Sequence, residues 1–157
     1  MPTKDIEDIL VKLGKSNFMS TFDCSKGFYA IPLTEDSKKY TAFVHQNSHF
    51  HFNVLPFGLS VSPSAYSRMM KELLKGTQNT ENFVDDIICY NSSIKDHLKT
   101  VEELFKRLRA ANVKIRPKKV KLGYPNVEYV GMVVGDGQLK PTDESISKVL
   151  NAERANN

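Results

Sequence analysis

The stretch NFVDDIICYN, residues 82–91, sets two adjacent aspartates inside an apolar run. Side chains of an extended strand alternate faces, and burying an unpaired carboxylate costs several kcal/mol, roughly, so Asp85 and Asp86 are either paired or useful. Adjacent aspartates are common in solvated turns. A solvated turn, however, does not need an apolar strand on both sides, and here Phe83 and Val84 precede the pair while Ile87, Ile88, Cys89 and Tyr90 follow it. The expected arrangement is a strand pair that bends at the aspartates. A third carboxylate joins them if FMSTFD, residues 18–23, pairs alongside. That segment alternates Phe18, Ser20 and Phe22 with Met19, Thr21 and Asp23 and is rich in strand formers, which predicts a strand with Asp23 at its C-terminal tip. Carboxylates that close raise one another's pKa unless a cation holds them. Mg²⁺, a hard ion that takes oxygen ligands and keeps sites for water and substrate phosphate, is the natural cation, and two such ions about 3.5–4 Å apart would serve phosphoryl transfer.

Around this centre the chain alternates helices and hairpins. TKDIEDILVKLG (3–14) places Ile6, Ile9, Leu10 and Leu13 on one helical face, with Thr3 as N-cap and Gly14 past the end. YTAFVHQNSHFHFNV predicts a hairpin of Tyr40 to His45 and Phe50 to Val54 turning on Asn47 and Ser48. SPSAYSRMMKELLKG predicts a helix with Ser62 as N-cap, Pro63 at its first position, an apolar face of Tyr66, Met69, Met70, Leu73 and Leu74, and Gly76 as terminator. Ile94, Leu98, Val101, Leu104 or Phe105, Leu108 and Ala111 recur at helical spacing up to Asn112. Beyond lie a strand at VKIR, a hairpin of VEYVGMVV and GQLKP turning on Gly135, Asp136 and Gly137, a short helix from Thr142 and a frayed tail. Helices and strands mixed without strict βαβ alternation predict an α+β fold, an antiparallel sheet with helices packed on one face.

Length and composition bound the rest. The 157 residues suffice for one domain with a real core, and 40 % hydrophobic against 25 % charged residues excludes a disordered chain. Apolar stretches are only a few residues long, so nothing directs the protein to a membrane or to export, and an intracellular setting, a cytoplasmic particle or the nucleus, is expected. Cys24 and Cys89 lack CxxC or metal spacing and read as buried thiols. The net charge of +4 is unevenly spread: residues 95–121 hold ten Lys or Arg against three acids, leaving the remainder net −3. Such a basic stretch is the footprint of contact with phosphates, although solvated helix faces give the same count.

FMSTFDCSKGFYAIPL (18–33), VLPFGLSVSPSAYSRMM (54–70) and FVDDII (83–88), in that order, resemble the palm motifs of reverse transcriptases from Ty3/gypsy-class LTR retrotransposons. PTKDIEDILVKLG resembles the segment leading into the palm, HLKTVEELFKRLRAANVKIRPKKVKL the following helix and strand, and VEYVGMVVGDGQLKP the primer-grip hairpin, so the likeness covers nearly the whole chain. It implies a palm over residues 1–140, with 141–157 as a short helix and tail starting the connection to a thumb. By resemblance, Asp23, Asp85 and Asp86 are the catalytic, metal-binding aspartates, with Mg²⁺ or Mn²⁺ as cofactor. Phe28 would lie under the sugar and exclude a 2′-hydroxyl. Pro56, Phe57 and Gly58 would pass beneath the incoming nucleotide and template base, Gly58 permitting close backbone approach. Lys118 or Lys119 would protonate departing pyrophosphate, and Tyr129, Val130, Gly131 and Met132 would position the primer end. The implied partners are an RNA or DNA template with a DNA primer, deoxynucleoside triphosphates and the remainder of a polyprotein, namely fingers, thumb and ribonuclease H; processive synthesis by these residues alone is not expected. Two departures stand out: Phe83 where the family usually has Tyr, and the polar GTQNTEN (76–82) where it has an apolar strand. The competing expectation is a truncated, non-catalytic nucleic-acid-binding remnant that uses residues 95–121.

Overall fold

The computed structural model of the chain describes residues 9, 11–83, 85–135 and 138–151. In chain order the elements are β1 (Phe18–Ser25), α1 (Glu35–Lys38), β2 (Phe43–His45), β3 (Ser48–Phe50), α2 (Ser62–Leu74), β4 (Thr80–Phe83), β5 (Asp86–Asn91), α3 (Ile94–Ala110), β6 (Lys114–Ile115), β7 (Lys121–Tyr124), β8 (Asn126–Tyr129), β9 (Met132–Gly135), β10 (Gln138–Pro141) and α4 (Asp143–Leu150). Short 3₁₀ turns fall at Gly27–Ala30, Lys39–Thr41 and Pro117–Lys119. Ile9 and residues 11–13 are helical. The sequence expectations for Thr3, Ile6 and Leu10, for a turn on Asp136 and Gly137, and for the tail beyond Asn151 lie outside the described residues.

Strand β1 is the spine of a five-stranded antiparallel sheet. β5 pairs along one side of it, from Phe18 opposite Asn91 to Asp23 opposite Asp86, and β4 pairs with the far edge of β5. On its other side β1 meets β7 at Met19 and Thr21, then β6 at Cys24 and Ser25. Alternation along β1 and β5 sends side chains to two different cores. Phe22, Cys24, Ile87 and Cys89 pack against Tyr66, Met70 and Leu74 of α2 and Leu104 and Leu108 of α3. Met19, Ile88 and Tyr90 pack against Leu13 and against Val127, Tyr129 and Val134 of the small sheet β8-β9-β10. Because β5 is covered on both faces, its sequence reads as an unbroken apolar run rather than an alternating one.

The α+β, antiparallel class is as expected, with α2 and α3 together on one face and the three-stranded sheet closing much of the other. Several local expectations are corrected. β1 continues two residues beyond Asp23, because Cys24 and Ser25 find ladder partners in Ile115 and Lys114, so Asp23 sits within the strand rather than at its tip. Ser62 is already helical: Val61 occupies the cap position, and the Ser62 hydroxyl instead donates to the Pro56 carbonyl at 2.8 Å. The early hairpin is shorter than expected, since Tyr40 belongs to a 3₁₀ turn and the bend falls on Gln46 and Asn47, both at positive φ. VEYVGMVV is not one strand; it turns at Val130 and Gly131, with φ of 53° and 74°, and β8 pairs back on β9. Polar TENF nonetheless forms β4, in register from Thr80 opposite Cys89 to Phe83 opposite Asp86. Helix α3 is capped in a way the periodicity did not reveal, with the Ser93 Oγ accepting the Asp96 N–H while the Asp96 carboxylate accepts the Ser93 hydroxyl at 2.7 Å.

Candidate active site

The β1–β5 register sets Asp23 directly opposite Asp86, and alternation puts both on the face occupied by Met19 and Ile88. Asp85 stands one residue earlier, at the bend that precedes β5, and its carbonyl accepts the Cys24 N–H at 2.9 Å, so the bend is bonded to the spine strand. Like charges directly opposite across a ladder are unfavourable. Burial, then the Asp23 charge, push the Asp85 carboxyl above the usual carboxylate range, with Arg116 pulling the other way. Burial, then Asp23 and Asp85, do the same to Asp86, opposed by Lys119.

Asp23 is the least exposed of the groups in its ion pairs, its side chain 18 % accessible, and two cations hold it. Lys119 Nζ donates to Oδ2 at 3.1 Å, while Arg116 Nε lies 3.2 Å from Oδ1 as an ion pair without a hydrogen bond. The Arg116 main-chain N–H also donates to the Asp23 carbonyl at 2.9 Å, which fixes where the guanidinium starts from. A cleft of about 370 Å³ opens here, with Asp23 and Asp86 on its wall beside Thr21, Lys118, Lys119 and Tyr129. Tyr129 is buried, its hydroxyl has no hydrogen-bond partner, and burial followed by the Asp86 charge pushes its pKa above the usual tyrosine range. Burial also pushes the Cys24 thiol up to about 11 and Cys89 up to about 12, so neither is a thiolate near neutral pH.

Three carboxylates are hard oxygen donors suited to Mg²⁺, and the buried Asp23 Oδ1 keeps an acceptor site that no hydrogen bond fills. The chemistry of the donor set therefore fits a divalent ion. Among the described residues, however, no three His, Cys, Asp or Glu side chains stand together as a ready-made ligand cluster. The two cations on Asp23 supply, in this arrangement, the positive charge that the carboxylates need.

The other residues singled out from the sequence fall into three groups. Phe28, in the turn after β1, packs at 4.8 Å (ring centroids) against Phe57 and edge-on at 5.5 Å against Tyr66. Pro56 is buried and accepts the Ser62 hydroxyl, and Phe57 is 55 % exposed. Gly58 has φ of +93° with open space where a Cβ would stand, so within this chain the turn, and not a close approach, requires glycine. Of the two lysines, Lys119 touches an aspartate while Lys118 lines the cleft. Tyr129 to Met132 form the β8–β9 turn, where the Gly131 carbonyl accepts the Thr142 N–H and the Ser145 hydroxyl, and only Tyr129 of the four reaches the cleft. Sequence reasoning missed Arg116, whose signal was its place two residues before Lys118 in the same basic run, and the support that Tyr66 gives Phe28. A Cβ on Gly27 would come within 2.5 Å of the Tyr66 ring, so ring and turn are in direct contact.

The family described as reverse transcriptase (RNA-dependent DNA polymerase) matches residues 1–134. The chain is 30 % identical over 151 residues to the retrovirus-related Pol polyprotein from transposon 297 of Drosophila melanogaster, covering 95 % of this chain and 14 % of that protein. It is similar in structure to the foamy viral protease-reverse transcriptase in complex with an RNA/DNA hybrid, with a TM-score of 0.80 and 32 % identity over 91 % of this chain and 20 % of that one. Against the same kind of enzyme in complex with double-stranded DNA the TM-score is 0.84 with 31 % identity, over 94 % of this chain and 26 % of the other. The chain thus spans about a seventh of the transposon polyprotein and a fifth to a quarter of the viral chains. No helix among the described residues is long and apolar enough to cross a membrane.

Proposed function

The chain belongs to the reverse transcriptase family, and from that premise we propose that it is the palm of an RNA-directed DNA polymerase of the Ty3/gypsy class, adding deoxynucleotides to a primer. The observation that carries the reading is the opposition of Asp23 and Asp86 across β1 and β5, with Asp85 at the adjoining bend, on the wall of a cleft shared with Lys119 and Tyr129. Asp23, Asp85 and Asp86 would hold Mg²⁺, or Mn²⁺ in its place; when bound, the metal activates the primer hydroxyl and stabilises the leaving phosphate oxygen. The upward push on the Asp85 and Asp86 carboxyls is what a divalent ion would relieve.

The chain's own residues supply alignment. Phe28, clamped between Phe57 and Tyr66, presents a fixed ring to the sugar, and one extra oxygen against a filled surface is unfavourable. Pro56, Phe57 and Gly58 form the loop beneath the incoming nucleotide. Lys118 and Lys119 face the phosphates, one of them giving a proton to pyrophosphate. Tyr129, Val130, Gly131 and Met132 support the primer end, their turn tied to Thr142 and Ser145 at the start of α4. Residues 1–140 make up the palm, and 141–157 begin the connection toward a thumb. The partners are a primer-template of RNA/DNA or DNA/DNA, deoxynucleoside triphosphates and the fingers, thumb and ribonuclease H of a polyprotein, in an intracellular setting.

The test is primer extension. Supplied with the family's fingers and thumb in trans, the chain should extend a DNA primer on an RNA template. Asp85→Asn should abolish growth, and Phe28→Ala should admit ribonucleotides. Salt-sensitive binding of primer-template with no extension under any complementation would leave only a nucleic-acid-binding remnant.

A further inference from the structure

Two cations, not one, meet Asp23, and their geometry differs from that of an ordinary surface ion pair. Asp23 is 18 % exposed while Arg116 and Lys119 are 49 % and 59 % exposed, so a largely covered carboxylate meets two more exposed cationic heads on anchored stems. The Arg116 stem is anchored by its main-chain bond to the Asp23 carbonyl, and Lys119 by the turn in which its N–H donates to the Arg116 carbonyl at 3.0 Å. Each head takes a different oxygen, Arg116 at Oδ1 and Lys119 at Oδ2. Both oxygens of Asp23 therefore lie within ion-pair distance of the protein's own positive charge, Oδ2 hydrogen-bonded and Oδ1 held by charge alone. The same two cations oppose the upward push on Asp85 and Asp86, so their field covers all three carboxylates.

We propose that Arg116 and Lys119 form a latch on Asp23 that a divalent cation must open, so that both cations compete with the metal for that carboxylate. The inference rests on the carboxylate site proposed above and adds a regulation of it. An ion needs Asp23 oxygens that face it; the latch holds those oxygens in ion pairs and sets two cations where a third would arrive. Apparent cation affinity then falls by the fraction of molecules whose latch is shut, as for any ligand whose competent state is only partly populated. Once displaced, Lys119 remains on the wall of the cleft beside Lys118, where an anion bound with the metal would meet it. For Lys119, opening the latch thus exchanges a carboxylate partner for a phosphate one.

The experiment measures Mn²⁺ binding to the chain itself, by the electron paramagnetic resonance signal of free Mn²⁺, without nucleotide. Arg116→Gln and Lys119→Gln should each tighten Mn²⁺ about two- to fivefold, the range expected when one exposed ion pair is removed, and the double variant should tighten it further. Arg116→Lys, which keeps the charge, should stay near the parent; a purely structural role for the arginine side chain would not make charge the deciding property. Thermal melting gives a second readout, since the glutamine variants should be slightly less stable without Mn²⁺ and gain more on its addition. Mn²⁺ affinity in the glutamine variants equal to or weaker than the parent's, including no binding in either, overturns the latch. Mn²⁺ binding that survives both Asp85→Asn and Asp86→Asn overturns the carboxylate site and the latch with it.

Discussion

Asp86→Asn should make the protein more stable while removing its proposed chemistry. Asp86 faces Asp23 across the ladder, is pushed above the usual carboxylate range by burial and by two like charges, and is only partly compensated by Lys119. The sign follows from linkage. A carboxyl whose folded pKa is raised is disfavoured as an anion in the folded state, so at neutral pH it subtracts from stability, and the loss is relieved as pH falls through the raised pKa toward the ordinary value near 3.8. Asparagine keeps the shape and removes the charge. Like charges directly opposite on paired strands are unfavourable by about 0.2–1 kcal/mol, and the exposed position of Asp86 argues for staying within that range. In a chain of this size 1 kcal/mol corresponds to roughly 2–4 °C in melting temperature, so Asp86→Asn should melt up to that much higher at pH 7.5 without divalent ions. Its advantage should shrink on going to pH 4. Added Mg²⁺ should stabilise the parent and not the variant. An Asp86→Asn protein that melts below the parent at pH 7.5, or whose advantage is unchanged at pH 4, would show that Asp86 is held by favourable contacts and carries no stored repulsion.

Two further outcomes concern the scaffold around the site. His97 is buried with Nδ1 at 3.0 Å from Asn91 Oδ1 and Nε2 at 2.6 Å from Ser20 Oγ, whose oxygen also accepts the Gly123 N–H; Ser20 can spend its one proton on Nε2, so the network is complete only with His97 neutral and protonated on Nδ1. Burial holds its pKa below the usual value, so its contribution is fully present above about pH 6.5 and is lost as pH falls below that, by at most about 1.4 kcal/mol per pH unit; urea midpoints at pH 7.5 and 5.5 should diverge in the parent and less so in His97→Gln, and equal divergence would refute the assignment. Gly27→Ala forces a methyl to within 2.5 Å of the Tyr66 ring and should lower stability by about 1–3 kcal/mol; in a double-mutant cycle with Tyr66→Leu the two losses should fall short of additivity, and strict additivity would mean that the turn yields elsewhere.

What could be read in the sequence was what repeats locally or touches at short range. The apolar run after Asp86 identified a core strand, and alternation in FMSTFD gave the face of Asp23, so two strands sufficed to bring the carboxylates together. Val130 hid a turn, because a β-branched residue between Tyr129 and Met132 reads as continuing strand, yet it adopts φ of 53° with Gly131 beside it. β7 was hidden for the opposite reason: three of its four residues are exposed, and only main-chain pairing to β1 makes Lys121–Tyr124 a strand. The charge pattern was legible only in part. Ten basic residues in 95–121 invite a partner made of phosphate, but a count cannot show that Arg116 and Lys119 sit against an aspartate 93 and 96 positions earlier. β6, only two residues long, carries the chain to that meeting by pairing with the end of β1. The extension of β1 past Asp23 that pattern reasoning did not foresee is therefore part of what delivers the cations, since the pairing of Cys24 and Ser25 with Ile115 and Lys114 continues into the bond from the Arg116 N–H to the Asp23 carbonyl.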